Sequence, residues 1–354
     1  MAGGWRDRRL INRLGLRGPL FLAPMAGAGG PALAIAAARG GALPALPCAL
    51  LSPDQLRRQV AEVRAAVGGP IHVNFFAHSP ADEVDDSAWR AALQPFYDEY
   101  GVGPPAVPPP LRRPFDAAMA EVVEELRPDV VSFHFGLPAP ALIDRVRGTG
   151  ALILASASTP AEGRWLAERG VDGVIAQGWE AGGHSTRFLP APDSARMTVM
   201  ALIPQLADVT GLPIVAAGGI GDERGIAAAA MLGAAAVQIG TAYLACPESL
   251  VSELHRARLA GPEANETVMT NLFTGRPARG FPTRLTQMLG PISDVVPPFP
   301  HAGDALAELR QADPAGFANM WAGQAAALSR AEPAEPAEAL TVRWLREAAA
   351  LLGG

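Results

Sequence analysis

The chain has 354 residues, of which 49% are hydrophobic and 18% are charged, and its formal net charge is −6. This length can fill one large α/β barrel or two domains. No basic patch with interleaved aromatic residues is present, which argues against nucleic acid as a partner. No apolar run reaches the ~18–20 residues that span a bilayer, and no secretion signal follows the basic N-terminus. We therefore expect a cytoplasmic protein with no membrane partner.

The cysteines and the basic residues limit the kinds of site that the chain can form. Cys48 and Cys246 both lie in apolar surroundings, so we expect two buried small hydrophobes and no disulfide. No Cys/His cluster has the spacing of a zinc site, so no metal is expected. The chain contains no lysine, and every basic side chain is therefore arginine.

Apolar strand-like runs and helical stretches alternate along the first 246 residues. The predicted strands cover 19–24, 42–46, 71–76, 129–136, 151–155, 173–176, 213–217 and 235–240. The predicted helices cover 31–39, 53–67, 115–127, 140–147, 159–169, 198–210 and 222–232. Ser52 has the character of an N-cap for the helix that starts at Pro53. Strands this apolar are typical of a parallel sheet that is covered by helices.

Eight such repeats in about 245 residues match a closed (β/α)₈ TIM barrel. A doubly wound open sheet is the alternative. No G-x-G-x-x-G motif with a downstream acidic partner follows the first strand, which argues against a dinucleotide-binding fold. We therefore assign residues 1–246 to a TIM barrel.

Two regions fall outside the repeat. Residues 79–115 are rich in proline, with a weak helix at 89–100, and the PPAVPPP run at 104–110 is predicted to be a surface excursion. Residues 247–354 carry helical stretches at 248–259, 305–311, 314–330 and 337–352 and no convincing strand. We expect a C-terminal helical cap over the barrel mouth. The alternative for the last helix is that it returns to the barrel wall.

Seven of the eight predicted strands end in polar, glycine or other special residues, at the edge where TIM barrels carry their active sites. These ends are Met25 after Pro24, Asn74, His134, Ser156, Gln177, Gly218 with Gly219, and Gln238 with Gly240 and Thr241. The glycine-containing ends of the last two strands are where such barrels often bind a phosphate, through backbone N–H groups. Tight strand–helix packing is the other explanation for these glycines.

The loop at 177–184 is where we expect the chemistry. Gly182 and Gly183 let the backbone approach a planar ligand, and His184 can exchange a proton near neutral pH. An exposed loop histidine with no role is the alternative. The amides of Asn74 and Gln177 suit the edge of a flavin ring or, equally, loop backbone, and His134 is either a core residue or a ligand-facing one.

Eight motifs together resemble the flavin-dependent nitronate monooxygenases, formerly called 2-nitropropane dioxygenases, over almost the whole chain. They are APMAG at 23–27, HVNFF at 72–76, VVSFHFGLP at 130–138, GVDGVIAQGWEAGGH at 170–184, PIVAAGGIGD at 213–222, AAVQIGTAYLACPES at 235–249, TNLFTGRPARG at 270–280 and WAGQ at 321–324. The resemblance implies oxidation of alkyl nitronates or nitroalkanes by O2 to a carbonyl compound and nitrite.

The resemblance also implies a cofactor and roles for particular residues. FMN is expected at Asn74, Gln177, Gly182, Gly219, Gln238, Ile239, Gly240 and Thr241, and we add Ala23, Pro24, Met25, Gly183 and Gly218 to this site. His184 is expected to be the general base, and to pair with the nitronate charge if it is protonated. His134 is the second candidate for the base.

The chain departs from the family pattern at three points. Ser185 and Thr186 replace the usual Arg-Gly after the histidine, Phe299 stands where a tyrosine is common, and any family lysine is missing. Two other functions stay open: an FMN-dependent NAD(P)H reductase of quinones or enoyl thioesters, and a non-redox barrel that binds a phosphorylated substrate. The oligomeric state is also open, with a homodimer as one option.

Overall fold

The computed structural model describes residues 4–79, 84–105, 112–329 and 334–353. Its main sheet has eight parallel strands in the order β1-β9-β8-β6-β5-β4-β3-β2. The strands are β1 (Leu20–Leu22), β2 (Ala45–Pro47), β3 (His72–Phe76), β4 (Val130–His134), β5 (Leu152–Ala157), β6 (Gly173–Gln177), β8 (Ile214–Ala217) and β9 (Ala236–Ile239). A two-residue strand, β7 (Gly183–His184), lies outside this sheet.

The sheet closes into a barrel between its first and last strands. The Leu22 N–H donates to the Leu43 carbonyl at 3.0 Å, and the Leu43 N–H donates to the Leu20 carbonyl at 2.8 Å, just before β2 begins. All eight strands predicted from the sequence are therefore present. The TIM barrel is confirmed, and the open doubly wound sheet is wrong.

The described part of the chain contains fourteen α-helices. They are α1 (Arg9–Leu14), α2 (Pro31–Gly40), α3 (Pro53–Ala66), α4 (Ser87–Tyr100), α5 (Ala117–Leu126), α6 (Pro140–Gly148), α7 (Pro160–Ala167), α8 (Val199–Thr210), α9 (Glu223–Met231), α10 (Glu253–Ala260), α11 (Arg284–Leu289), α12 (Ala307–Ala312), α13 (Pro314–Phe317) and α14 (Ala337–Leu351). Ser52 caps α3, because its hydroxyl accepts from the Gln55 N–H at 3.3 Å. The last helix, α14, does return to the barrel, where it packs against α2 and α9.

The barrel separates two apolar layers. Side chains that point inward, such as Phe21, Leu154 and Val215, form one cluster together with Leu10 of α1. Side chains that point outward pack against the surrounding helices in a larger cluster. Because neighbouring residues of a strand point to opposite faces, each strand contributes to both layers. The inward-pointing residues at the carboxyl ends of the strands are left to form the site.

The region after β9 differs from the prediction in two respects. Two short strands, β10 (Val268–Thr270) and β11 (Ala278–Gly280), form an antiparallel sheet with β7, where no strand was predicted. Strands of two or three residues are too short to show a recognisable alternation. The helix predicted at 314–330 is also wrong beyond α13. Ala318 has extended backbone angles and the chain leaves the helix there.

A second core joins the proline-rich region to the C-terminal region. Trp89 and Tyr97 of α4 are completely buried against residues such as Leu272, Leu306 and Phe317. The Trp89 indole N–H donates to the Ala302 carbonyl at 3.1 Å, and the Tyr97 hydroxyl donates to the Ala305 carbonyl at 2.6 Å. The helix predicted at 89–100 is therefore present as α4 and is part of this second core. Most of the PPAVPPP run lies outside the described residues, and the domain boundary at residue 246 stays a prediction.

Three further observations concern the described residues as a whole. Both cysteines are buried and unpaired, and burial raises each thiol pKa to about 12. Within the ranges given above, no three His, Cys, Asp or Glu side chains are grouped as metal ligands. Nor is any described helix both long enough and apolar enough to cross a bilayer.

Candidate active site

A cavity of about 480 Å³ opens at the carboxyl ends of the barrel strands, and its volume is in the range of ordinary ligand sites. All but one of the predicted site residues line it. They are Ala23, Pro24, Met25, Asn74, His134, Gln177, Gly182, Gly183, His184, Gly218, Gly219, Gln238, Gly240 and Thr241. The exception is Ile239, whose side chain is buried in the outer layer because its neighbour Gln238 takes the inward position on β9.

The turn after β8 places the backbone of two glycines, Gly218 and Gly219, at the cavity. Gly218 and Gly219 both have left-handed backbone angles, with φ of 97° and 69°. A Cβ atom on Gly218 would lie 2.8 Å from the Ala181 Cβ, and one on Gly182 would lie 2.6 Å from the Gly323 nitrogen. Close packing around the cavity therefore leaves no room for a side chain at Gly218 or at Gly182. A glycine turn at this position also leaves successive backbone N–H groups without a covering side chain, which suits an anion.

The loop at 321–325 closes over this end of the cavity. The Gly323 N–H donates to the Thr241 hydroxyl at 3.0 Å, and the Gln324 N–H donates to the Glu180 carbonyl at 2.9 Å. Thr241 therefore accepts a hydrogen bond from the loop and keeps its own hydroxyl proton for another partner. The WAGQ motif of the sequence is the segment that makes these contacts.

The Asn74 side chain is positioned by a partner that sequence reasoning missed. Its amide group donates to the Ser132 hydroxyl at 2.7 Å and more weakly to the Ser132 carbonyl at 3.3 Å. The same hydroxyl lies 2.6 Å from Nε2 of His72, whose pKa is lowered to about 3 by burial. The amide oxygen of Asn74 is thereby left for a ligand in the cavity. Ser132 is an inward residue of β4, and only the register between β3 and β4 places it beside Asn74.

The two glutamines play different parts. The Gln177 side chain donates to the His184 carbonyl at 2.8 Å and accepts from the Thr186 N–H at 2.7 Å, so it holds the loop that carries His184. Sequence analysis gave contact with loop backbone as one of two possible roles for the Gln177 amide, and these two hydrogen bonds are such contacts. In contrast, the amide oxygen of Gln238 is buried at the cavity and has no hydrogen-bond partner within the protein. A buried acceptor in this state calls for a donor from a bound ligand.

His184 lies on β7 inside an aromatic enclosure. Its ring centroid is 5.4 Å from that of Phe299 and 5.5 Å from that of Trp321, and Phe76 and Phe135 lie within 6.1 Å. Burial in this enclosure lowers the pKa of His184 well below 6.5, and the positive charge of Arg112 lowers it further. The imidazole is therefore neutral at neutral pH and is available as a base.

Thr274 is the hydrogen-bond partner of one ring nitrogen of His184. The Thr274 Oγ1 atom lies 2.9 Å from His184 Nε2 and 3.4 Å from the Arg276 carbonyl. When the single hydroxyl proton is donated to that carbonyl, Oγ1 must accept from a protonated Nε2. Nδ1 then holds the lone pair that a base needs.

His134 supports the segment that carries His184. Its Nε2 lies 3.2 Å from the His184 carbonyl, and its Nδ1 lies 3.3 Å from the Ser156 hydroxyl. Burial lowers its pKa to about 4, so it too is neutral. Both ring nitrogens of His134 are engaged by the protein, so of the two candidate bases His184 is the one with a ring nitrogen left for a ligand.

Arginines supply positive charge that the sequence analysis did not locate. Arg112 lines the cavity, and Arg276 stacks over the Phe135 ring at 4.3 Å from its centroid. Desolvation lowers the pKa of both side chains, but they stay charged near neutral pH. Arg112 follows the proline-rich run and belongs to no motif, so only the folded chain reveals its position.

Comparison with known proteins agrees with this geometry. The sequence model of the family described as nitronate monooxygenase matches residues 8–338. The chain belongs to the nitronate monooxygenase family. It is 40% identical over 349 residues to a nitronate monooxygenase of Paraburkholderia phytofirmans, covering 96% of this chain and 95% of that protein. It is 39% identical over 335 residues to one of Pseudomonas aeruginosa, covering 92% and 95%.

A solved structure extends the likeness to three dimensions. The nitroalkane oxidase of Streptomyces ansochromogenes superposes with a TM-score of 0.85 and 33% identity, covering 96% of this chain and 98% of that one. The chain is therefore an oxidoreductase with the family fold over nearly its whole length. Family membership also removes the non-redox barrel from the candidate functions.

Proposed function

We propose that this protein oxidises alkyl nitronates with O2 to carbonyl compounds and nitrite, with FMN as its cofactor. Neutral nitroalkanes are substrates when His184 removes their α-proton. The observation that carries the proposal is the buried, neutral imidazole of His184 at the wall of the cavity. A neutral imidazole carries the free lone pair that removal of a proton from carbon requires.

The residues around the cavity fit a flavin mononucleotide. Gly218, Gly219 and the free hydroxyl proton of Thr241 offer donors for one phosphate group, and the chain has no dinucleotide fingerprint. The orphaned oxygen of Gln238 and the amide oxygen of Asn74 offer acceptors for ring N–H groups. When bound, FMN would supply the electron acceptor that neither the barrel nor the substrate provides.

The charge of the nitronate requires a cation, and His184 does not provide it. Its lowered pKa favours the neutral imidazole, and charge pairing was expected only of a protonated His184, so we do not assign that task to it. Arg112 lines the same cavity and acts on His184 through its charge. We assign the binding of the nitronate anion to Arg112, which stays charged at any working pH.

The test uses the purified protein. A yellow protein that releases FMN on heat denaturation, consumes O2 and releases nitrite with a panel of nitronates supports the proposal. Release of FAD, or a colourless protein, contradicts the cofactor assignment. Rapid bleaching of the flavin by NADPH without O2, together with no nitrite release, would favour the quinone or enoyl-thioester reductase. Gel filtration with light scattering tests the homodimer, which stays a prediction.

A further inference from the structure

A completely buried threonine, Thr186, lies two residues after His184. Its hydroxyl donates to the Ser156 carbonyl at 3.2 Å and accepts from the Phe135 N–H at 3.4 Å. Ser156 belongs to the end of β5, and Phe135 directly follows β4. One side chain therefore ties the segment that carries His184 to two strand ends of the barrel.

Five residues around the base form a closed ring of hydrogen bonds. The Thr186 N–H donates to the Gln177 side chain, which in turn donates to the His184 carbonyl. That carbonyl also accepts from Nε2 of His134, whose Nδ1 accepts from the Ser156 hydroxyl. The bond from the Thr186 hydroxyl to the Ser156 carbonyl closes the ring. A fully satisfied buried network of this kind holds the segment it encloses in one arrangement.

The same hydroxyl supports a wall of the aromatic enclosure. Phe135 has a left-handed backbone, with a φ of 72°, which residues that carry a side chain rarely adopt. Its ring is nearly perpendicular to that of His184, at 5.8 Å between centroids, and lies 5.3 Å from that of Phe299. The bond from the Phe135 N–H to Thr186 holds the backbone from which this ring projects.

We propose that Thr186 is a positioning residue, which fixes the imidazole of His184 for removal of a proton from carbon. Its effect on catalysis rests on the proposed function, in which His184 is the base. Thr186 stands where the family pattern has glycine, and a glycine there could make neither hydroxyl contact. Position matters to the rate, because a misplacement of about 1 Å can cost on the order of 10² in turnover.

Thr186→Val tests the proposal, because valine keeps the shape of the side chain and removes the hydroxyl. Thr149→Val is the matched control. The buried Thr149 hydroxyl makes the same pair of contacts away from the cavity, donating to the Val146 carbonyl at 2.7 Å and accepting from the Ala151 N–H at 3.3 Å. Thr186→Ser keeps the hydroxyl and tests for rescue. Flavin content and the melting temperature check that each variant is folded.

The kinetic readout is kcat and KM for each nitroalkane and its preformed nitronate. In Thr186→Val, kcat for neutral nitroalkanes should fall about tenfold or more, with KM within about twofold of the wild type. Turnover of nitronates should stay within about twofold, because no proton is removed from carbon. Thr149→Val should stay within about twofold on both substrate forms, and Thr186→Ser should recover to within about threefold of the wild type.

Hydrogen exchange of the flavin-loaded protein, followed by mass spectrometry, gives a second readout that needs no turnover. The amides at 183–187 should exchange about tenfold faster in Thr186→Val than in the wild type, because the ring of hydrogen bonds is open. Thr149→Val should leave the exchange of this segment unchanged.

Three results would overturn the proposal. The first is an equal loss on nitroalkanes and nitronates in Thr186→Val, which is what a general loss of stability produces. The second is the same kinetic effect in Thr149→Val, and the third is unchanged exchange at 183–187 in Thr186→Val. If the wild type releases no nitrite, the proposed function fails, and the exchange measurement alone decides whether Thr186 fixes this segment.

Discussion

His184→Asn separates the two tasks that a nitronate-oxidising site must perform. Asparagine is smaller than histidine and polar, so the enclosure of Phe299 and Trp321 should keep its shape and the flavin content should stay near that of the wild type. The variant has no base. Turnover of neutral nitroalkanes should therefore fall by roughly 10²–10⁴, the usual contribution of a positioned general base.

Turnover of preformed nitronates should fall much less in this variant. Their α-proton is already gone, and the neutral His184 contributes no charge pairing that the variant could remove. Arg112 is unchanged, so we expect kcat/KM for nitronates within about fivefold of the wild type, equivalent to about 1 kcal/mol of transition-state stabilisation. The pH profile provides a second readout. Because the pKa of His184 is well below 6.5, kcat/KM for nitroalkanes should show no loss from this group as the pH falls from 8 to 6.5.

The assay is O2 uptake and nitrite release with each nitroalkane and its nitronate, for the wild type and the variant at equal flavin content. His134→Asn is the matched comparison, because both nitrogens of that ring are engaged by Ser156 and the His184 carbonyl. It should affect both substrate forms to a similar extent. Equal losses on both substrate forms in His184→Asn, or a wild-type profile that titrates near pH 6.5, would refute the reasoning.

Three further predictions follow from single contacts. Arg112→Gln should raise KM for nitronates about tenfold with a smaller effect on nitroalkanes, and an equal effect on both would contradict its role as the anion partner. Thr274→Val should lower nitroalkane turnover about fivefold or more, because it removes the hydrogen bond to Nε2 of His184. Thr274→Ser keeps the hydroxyl and should restore the turnover. An unchanged turnover and pH profile in Thr274→Val would rule out a positioning role. Gly219→Asp should abolish flavin retention measured by absorbance, because the new side chain would start 3.2 Å from the Glu180 carboxylate at a φ of 69°. Gly233→Asp, at a φ of 100° with open space around it, is the control that should stay yellow.

The barrel could be predicted from the sequence because its strands are buried on both faces. Their apolar runs are long enough to stand out between glycine, proline and polar boundaries. The same logic located the site, since the strand ends of a parallel barrel converge at one edge. Ile239 was expected at the cofactor from the family resemblance, but alternation along β9 turns the Gln238 side chain toward the cavity and the Ile239 side chain away from it.

The contacts that could not be predicted depend on tertiary structure. Thr274 reaches His184 across 90 positions of the chain, through a sheet whose strands have two or three residues. Arg112 reaches the cavity from a proline-rich segment without periodicity, and α4 owes its burial to residues more than 170 positions away. Neither propensity nor motif encodes such approaches, so the sequence alone does not locate Arg112 or Thr274 at the site.

The burial that keeps His184 neutral also makes the fold sensitive to acid. His72, His78, His134 and His255 are likewise buried, and their pKa values are lowered to about 3, 4, 4 and 4. A lowered folded-state pKa means that the unfolded chain binds more protons once the pH falls below about 6.5, so stability is full above that pH and is lost below it. Each histidine should contribute a slope of about 1.4 kcal/mol per pH unit between roughly pH 6 and 4. Urea unfolding of the flavin-loaded protein at pH 7, 6 and 5 measures this slope. His255→Gln should reduce it by about one proton, and a slope unchanged by that variant would mean that His255 is not held neutral by the fold.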